Sequence, residues 1–331
     1  MEVRWIAGTG AVALPVGEVR EVVSRQDGVV WVDLDHTDEQ GMTLLTDLIR
    51  VQPTDLQECF ARTPVPKLHV YTDHLFSAIN GLARGTDGRL HFQPLKIFFN
   101  LHLLVTVLGP THDALTVEAA HRELAVIRRR LDADGFRPVA AIEVVSAIRI
   151  EMLHVQEELV GSAAKRIAQL EQNVMHADPV KAESLLHDLF ALRHDLQTIR
   201  TNAAQTQESY LHLIETLGSQ EGLVPVDVRR VQELRQGFSH LQNTADLERE
   251  YLQEVLDLFQ TRVSTELNRF VRKITAWGSI GIAWTVIAGV YGMNFANMPE
   301  LAWRFGYPSA IGLMVLVGLV LATMFRRRGW M

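Results

Sequence analysis

The sequence predicts an α+β domain whose last long helix continues into a two-helix membrane hairpin. Three observations predict it. Strand-like and short helical segments alternate through roughly the first hundred residues, an apolar stripe at helical spacing runs from Val231 to Ile274, and two uncharged runs begin at Ile274 and Phe305. Three regions follow: an α/β part with a helical hairpin over 1–225, a stalk over 226–273, and two spans over 274–331. The 331 residues are enough for two domains.

Val29-Val30-Trp31-Val32-Asp33-Leu34 is β-branched and aromatic, as a strand favours. Asp38 to Arg50 reads as a helix. Phe92 and Leu95 to Leu108 give a strand pair, with Phe98-Phe99 and Leu103-Leu104-Val105-Thr106-Val107 separated by Asn100. Thr86-Asp87-Gly88 is the turn between strands at Ser77–Leu82 and Leu90–Phe92. From Val117 the pattern is helical. Pro138 fits a helix start, with a run to about His176, and Pro179 fits the first turn of the next, which ends near Leu217 before a break at Gly218 to Gly222. These two helices can pair as an antiparallel hairpin.

After Pro225, apolar residues fall at Val231, Leu234, Phe238, Leu241 and Ala245, and again at Leu252, Leu256, Phe259, Val263, Leu267, Phe270 and Ile274. No proline or glycine pair interrupts the run, so one helix extends from Val226 to Tyr291, a rod of about 100 Å. A helix of that length needs cover from copies of itself or from the preceding hairpin. Ile274 to Val290 is densely apolar, and Phe305 to Phe325 is the second span. Arg269, Arg272 and Lys273 precede the first span and Arg326, Arg327 and Arg328 follow the second, while the connection carries only Glu300 and Arg304. The positive-inside rule then puts both ends in the cytoplasm and the loop outside, in the cell (inner) membrane. Trp277 and Trp330 fall at the predicted inner interface, Trp303 and Tyr307 at the outer one.

A single two-span chain cannot enclose an aqueous path, so transport would need a ring of chains. Asn268, Val271, Thr275, Gly278, Ile282, Thr285, Gly289 and Gly292 share one face of the long helix. Polar or small residues alternate there with apolar ones. Such a face suits a pore, with Val271 and Ile282 as dewetting constrictions, and it equally suits a tight helix–helix interface.

Other classes are excluded or disfavoured. The net charge of −7 speaks against nucleic acid as the main partner, and the single Cys59 allows no intrachain disulfide or Cys-based zinc site. Met1-Glu2-Val3-Arg4-Trp5 leads into no apolar signal stretch, so the N-terminal part is expected in the cytoplasm. No nucleophile elbow, P-loop or metalloprotease helix appears, which leaves no case for an enzyme or an ATP-driven pump. His187-Asp188 and His194-Asp195 repeat at seven residues, and Glu151, His154 and Glu158 share a face. Both sets read as solvated helix faces rather than metal sites.

Tyr291-Gly292-Met293-Asn294, at the outer end of the first span, resembles the signature of the CorA magnesium-transport family. Phe295, Met298-Pro299-Glu300-Leu301, Trp303, Gly306-Tyr307-Pro308 and the basic C-terminus are similar to that family's loop and second span. Upstream, Trp31 to Asp35, Pro53 to Glu58 (with Gln52 in a histidine's place), Pro66-Lys67 and Asn268 to Thr275 also match, so the likeness spans the chain. Ala283 stands where the family often has a proline, which leaves the bend of the first span open.

The resemblance implies a homopentameric funnel with long stalk helices and a five-fold pore along the first span. It implies a passive, gated channel for Mg²⁺, with Co²⁺ or Ni²⁺ also carried, partnered only by itself, the lipid bilayer and divalent cations. Mg²⁺ gives up water reluctantly, so neutral oxygens of Gly292 and Asn294 would hold the hydrated ion, with Met293 packing beside them. Glu300 would concentrate cations at the mouth or pair with Arg304. The family's regulatory Mg²⁺ sites use acidic residues between neighbouring subunits; Glu233 stands at a stalk position where the family can carry an acid, with Asp87 in the turn as a candidate partner. Two other readings stand beside this one: a zinc transporter of the ZntB branch, kept open by thirteen histidines, and a coiled-coil scaffold that transports nothing.

Overall fold

The computed structural model describes residues 1–8, 10–62, 65–133, 135–176, 182–219, 228–293 and 303–331. They form two compact units, Met1–Asn173 with Lys181–Glu254, and Val174–Val180 with Val255–Met331. In chain order the strands and early helices are β1 (Glu2–Ala7), β2 (Gly10–Ala13), α1 (Val19–Arg25), β3 (Val29–Asp35), α2 (Glu39–Leu48), α3 (Pro53–Cys59), β4 (Lys67–Val70), β5 (Leu75–Arg84), β6 (Leu90–Phe99) and β7 (Leu103–Leu108). Then come α4 (Val117–Ala120), α5 (Arg122–Asp132), α6 (Ala141–His176), α7 (Ala182–Ser219), α8 (Val228–Tyr291) and α9 (Gly306–Arg327).

Strand alternation builds the core of the first unit. Val29 and Trp31 of β3 enter one apolar cluster, while Val30, Val32 and Leu34 enter another on the opposite face. The sheet is therefore covered on both sides, which is why β3 and β7 read as continuous apolar runs. The strand order is β2-β1-β3-β7-β6-β5-β4, with β3 and β7 parallel at the centre. Asn100 makes the β6–β7 connection tight, since its Oδ1 accepts from the N–H groups of His102 (3.1 Å) and Leu103 (2.9 Å). Asp38 caps α2 by accepting from Gly41 N–H at 2.9 Å. Each fully buried side chain of the size of Trp31, Phe76 or Phe98 contributes about 1.5–3 kcal/mol of apolar burial.

One face is covered by α1 to α3, the other by α5, α6, α7 and the early part of α8. Gln156 bonds Asn202 at 3.1 Å and Arg149 bonds Tyr210 at 2.9 Å, so α6 and α7 run antiparallel, as their sequence suggested. Arg149 is itself buried and also donates to Ser77 of β5, tying both helices to the sheet. The expected stripe of α8 is buried at Val231, Leu234, Phe238, Leu241 and Ala245.

Some boundaries differ from the sequence pattern. α6 starts at Ala141 rather than Pro138, because Glu143 reaches back to accept from Val139 N–H at 2.9 Å and holds 138–140 outside the helix. α7 continues through Gly218 to Ser219. Pro179, Gly222 and Val226 lie outside the described residues.

Candidate functional site

The second unit contains the last part of α8 together with α9. Both helices are long and apolar enough to cross a bilayer, and their apolar windows are only 11% and 17% buried within the chain. Neither window is thus packed as a core helix among the described residues. Ala276 and Ile280 of α8 pack with Phe325 of α9 and with Leu321, Ala322 and Trp330 around it. Farther along, the Trp284 indole N–H donates to Met314 O at 2.8 Å. Its ring lies against Gly318, where a Cβ would sit 3.1 Å from two ring atoms. Gly318 therefore allows the close approach that seats the indole.

Ala276, Ile280 and Trp284 recur every four residues, so one face of α8 is given to α9. The predicted stripe lies on the other side. Asn268, Val271, Thr275, Gly278, Ile282, Thr285 and Gly289 are all exposed in the chain. At about 100° per residue their mean direction is about 180° from the face that meets α9. Val271 and Ile282 are 51% and 66% exposed, so among the described residues nothing apolar covers them. The hydroxyls of Thr275 and Thr285 donate to Val271 O (2.8 Å) and Gly281 O (2.9 Å). Their protons are thereby used within the helix, and their oxygens are left as acceptors.

The helix ends at Tyr291, after which Gly292 N–H reaches Ala288 O at 2.9 Å and Met293 N–H reaches Val290 O at 3.3 Å. Gly292 and Met293 are exposed; Asn294 and Glu300 lie outside the described residues. The apolar stripe of α8 stays buried through Phe259, then Val263, Leu267, Phe270 and Ile274 emerge at 46–61% exposure. Among the described residues nothing covers them.

The two low-lying metal candidates sit in different hollows. Asp87 accepts from His91 Nε2 at 3.0 and 2.9 Å and from Arg89 N–H at 3.0 Å. The His91 hydrogen bond, followed by that of Arg89, holds its carboxyl below the ordinary carboxylate range. Its hollow is also lined by His187, Asp188, His194 and Asp195, a meeting the sequence spacing does not reveal. Asp188 is paired with Arg166 at 3.1 Å and Asp195 with Arg84 at 3.0 Å, so these acids already have cations. Glu233 lines a separate hollow of about 480 Å³ with Arg230, Glu143 and His154. Glu158 pairs with Arg122 at 3.1 Å. Among the described residues no three His, Cys, Asp or Glu side chains come together as a metal-holding set.

The seat of Trp284 was missed in the sequence. Gly306, Ala310 and Gly318, small and buried at helical spacing on α9, are the signal that could have found it.

Two helices apolar enough to cross a bilayer, with an open face of small, polar and apolar residues on the first of them, suit a membrane transport protein. The sequence profile of the CorA-like Mg²⁺ transporter protein family matches residues 26–327, and the chain belongs to that family. YfjQ of Bacillus subtilis, provisionally named a metal ion transporter, is 26% identical over 308 residues, 91% of this chain and 89% of that one. The cobalt/magnesium transport protein CorA of Thermotoga maritima is 28% identical over 138 residues, 40% of this chain and 39% of that protein. The complete structure of the CorA magnesium transporter from Methanocaldococcus jannaschii has a TM-score of 0.80 at 16% identity, covering 100% of this chain and 99% of that one, which is a likeness of fold.

Proposed function

We propose that the protein is a homopentameric, gated channel that lets Mg²⁺, and also Co²⁺ or Ni²⁺, pass down its electrochemical gradient. The observation that carries this is the open face of α8: seven polar, small or apolar residues on the side away from α9, exposed among the described residues. A ring of copies gives that face a common axis. Asn268, Thr275 and Thr285 supply neutral oxygens, Gly278 and Gly289 supply width, and Val271 and Ile282 are the narrow apolar levels. At the mouth, Gly292 carbonyls and Asn294 carboxamides hold the ion through its water shell, and Met293 shapes their approach. Glu300 raises the local cation concentration. Cytoplasmic placement of both termini is supported by Arg269, Arg272, Lys273 and Arg326 to Arg328. In this reading residues 1–225 are the cytosolic domain, 226–273 the stalk and 274–331 the membrane domain, and Asp87 and Glu233 bind regulatory Mg²⁺ across subunits. Names borne by relatives, cobalt/magnesium transport among them, support Mg²⁺ and Co²⁺ in this choice of ions.

The test is Mg²⁺ uptake into liposomes containing the purified protein, with and without Asn294→Ala. Uptake by the native chain should fall to background in the variant, and unchanged flux would refute the oxygen ring. Zinc flux that follows a pH gradient, without Mg²⁺ flux, would instead select the ZntB-like alternative. An oligomer that carries neither ion would leave the scaffold.

A further inference from the structure

α9 ends in a turn closed by glycine. Gly329 takes φ +69°, a conformation glycine adopts freely. The chain then turns so that Trp330 N–H donates to Phe325 O at 2.9 Å and Gly329 N–H to Arg326 O at 3.1 Å. These are the two closing bonds of a glycine-terminated helix. The apolar contact that accompanies such an ending is present too, as Trp330 stacks on Phe325 with ring centroids 5.5 Å apart and planes 13° apart. Phe325 in turn packs with Ala276 of α8. This turn fixes Arg326, Arg327 and Arg328, all exposed, at the level of Ala276.

On α8, Arg272 and Lys273 stand four and three residues before Ala276, within about 60° of its direction. They therefore lie just beyond the contact, on the side facing the end of α9. Among the described residues, Arg272, Lys273, Arg326, Arg327 and Arg328 enter no ion pair, whereas Arg269 is paired with Glu266 at 2.7 Å. After Glu266 the sequence holds one further carboxylate side chain, Glu300, in the connection between the two helices. The cations border bare apolar surface, with Trp277 65% and Val320 57% exposed.

We propose that this cradle is a binding site for the phosphate of an anionic phospholipid. Arg272 and Lys273 from α8, with Arg326 and Arg328 on either side of Phe325, surround the phosphate. Guanidinium forks match its oxygens, and the Trp330 ring takes the interfacial position that indoles favour. Acyl chains cover the adjacent apolar surface, which a free phosphate would leave exposed. Clustered cations at a bilayer surface attract anionic lipid in this manner.

Native mass spectrometry of the full chain in detergent, offered equal phosphatidylglycerol and phosphatidylcholine, reads the preference per chain. The native protein should retain phosphatidylglycerol selectively, and the preference should fall about fivefold for each cation removed in Arg326→Gln/Arg328→Gln. Arg272→Gln/Lys273→Gln reads the same cradle from the other helix, should the change on α9 impair folding. Equal retention of the two lipids, or an unchanged preference in either folded variant, overturns the site. Displacement of the lipid by millimolar inorganic phosphate overturns its assignment to a lipid and makes it a free-anion site.

Discussion

Gly278 and Ala276 are two residues apart on α8 yet face nearly opposite ways, and one substitution separates what the two faces do. At Gly278 no atom lies within 4 Å of where a Cβ would sit. Gly278→Leu therefore costs the single chain nothing in packing and gains about 1 kcal/mol in helix propensity. If copies of this face line the path, the same change puts a ring of isobutyl groups into it. A drop in flux of about tenfold corresponds to only about 1.4 kcal/mol of added barrier, which a displaced water shell readily exceeds. Ala276 has no exposed surface and packs with Phe325, so Ala276→Leu overfills a close contact at a cost of about 1–3 kcal/mol. Dye-reported Mg²⁺ uptake, thermal unfolding and oligomer size, measured on the same preparations, give the comparison. The expected result is Gly278→Leu stable and blocked, with Ala276→Leu unstable but conducting while folded. Wild-type flux through an intact Gly278→Leu oligomer would refute the placement of the path, and dissociation of that oligomer would make the face a packing seam.

Two further outcomes concern the first unit. Burial holds the Glu123 carboxyl above its ordinary value, with one oxygen unpaired. Its contribution to stability is therefore present below the ordinary carboxylate pKa and is lost as pH rises through the folded value. Glu123→Gln should remove that decline and stabilise the protein at neutral pH; melting temperatures that fall with pH above the ordinary carboxylate value as steeply in the variant as in the native protein would contradict it. Cys59 is fully buried and its thiol is pushed up to about 12, chiefly by burial. A maleimide should leave it untouched in the native protein at mildly alkaline pH and label it after denaturation, and rapid native labelling would show the packing around α3 to be wrong.

What could be read in the sequence was what repeats along the chain. β3, β6 and β7 announce themselves because both faces of each are buried, and α8 because its apolar residues keep step for many turns. β1, with its charged Glu2 and Arg4, and the short edge strand β4 gave no such signal, since their pairing is set by neighbours in the sheet. Trp284 looked like any aromatic in a span. Its seat depends on Gly318, on the next helix, and no local pattern carries that contact. The same holds for Asp87, whose turn was legible but whose neighbours His187 and Asp195 come from α7. The stripe of α8 was right as a face, yet its exposure from Val263 onward could be known only once the remainder of the chain was in place.

The open face of α8 also bears on genetics. If five copies line one path, a chain carrying a blocking residue spoils each ring it enters. With equal amounts of native and blocked chain, only about 3% of rings, one half to the fifth power, would be free of it. Gly278→Leu should then behave as a dominant allele, whereas Ala276→Leu, which harms the folding of its own chain, should be recessive.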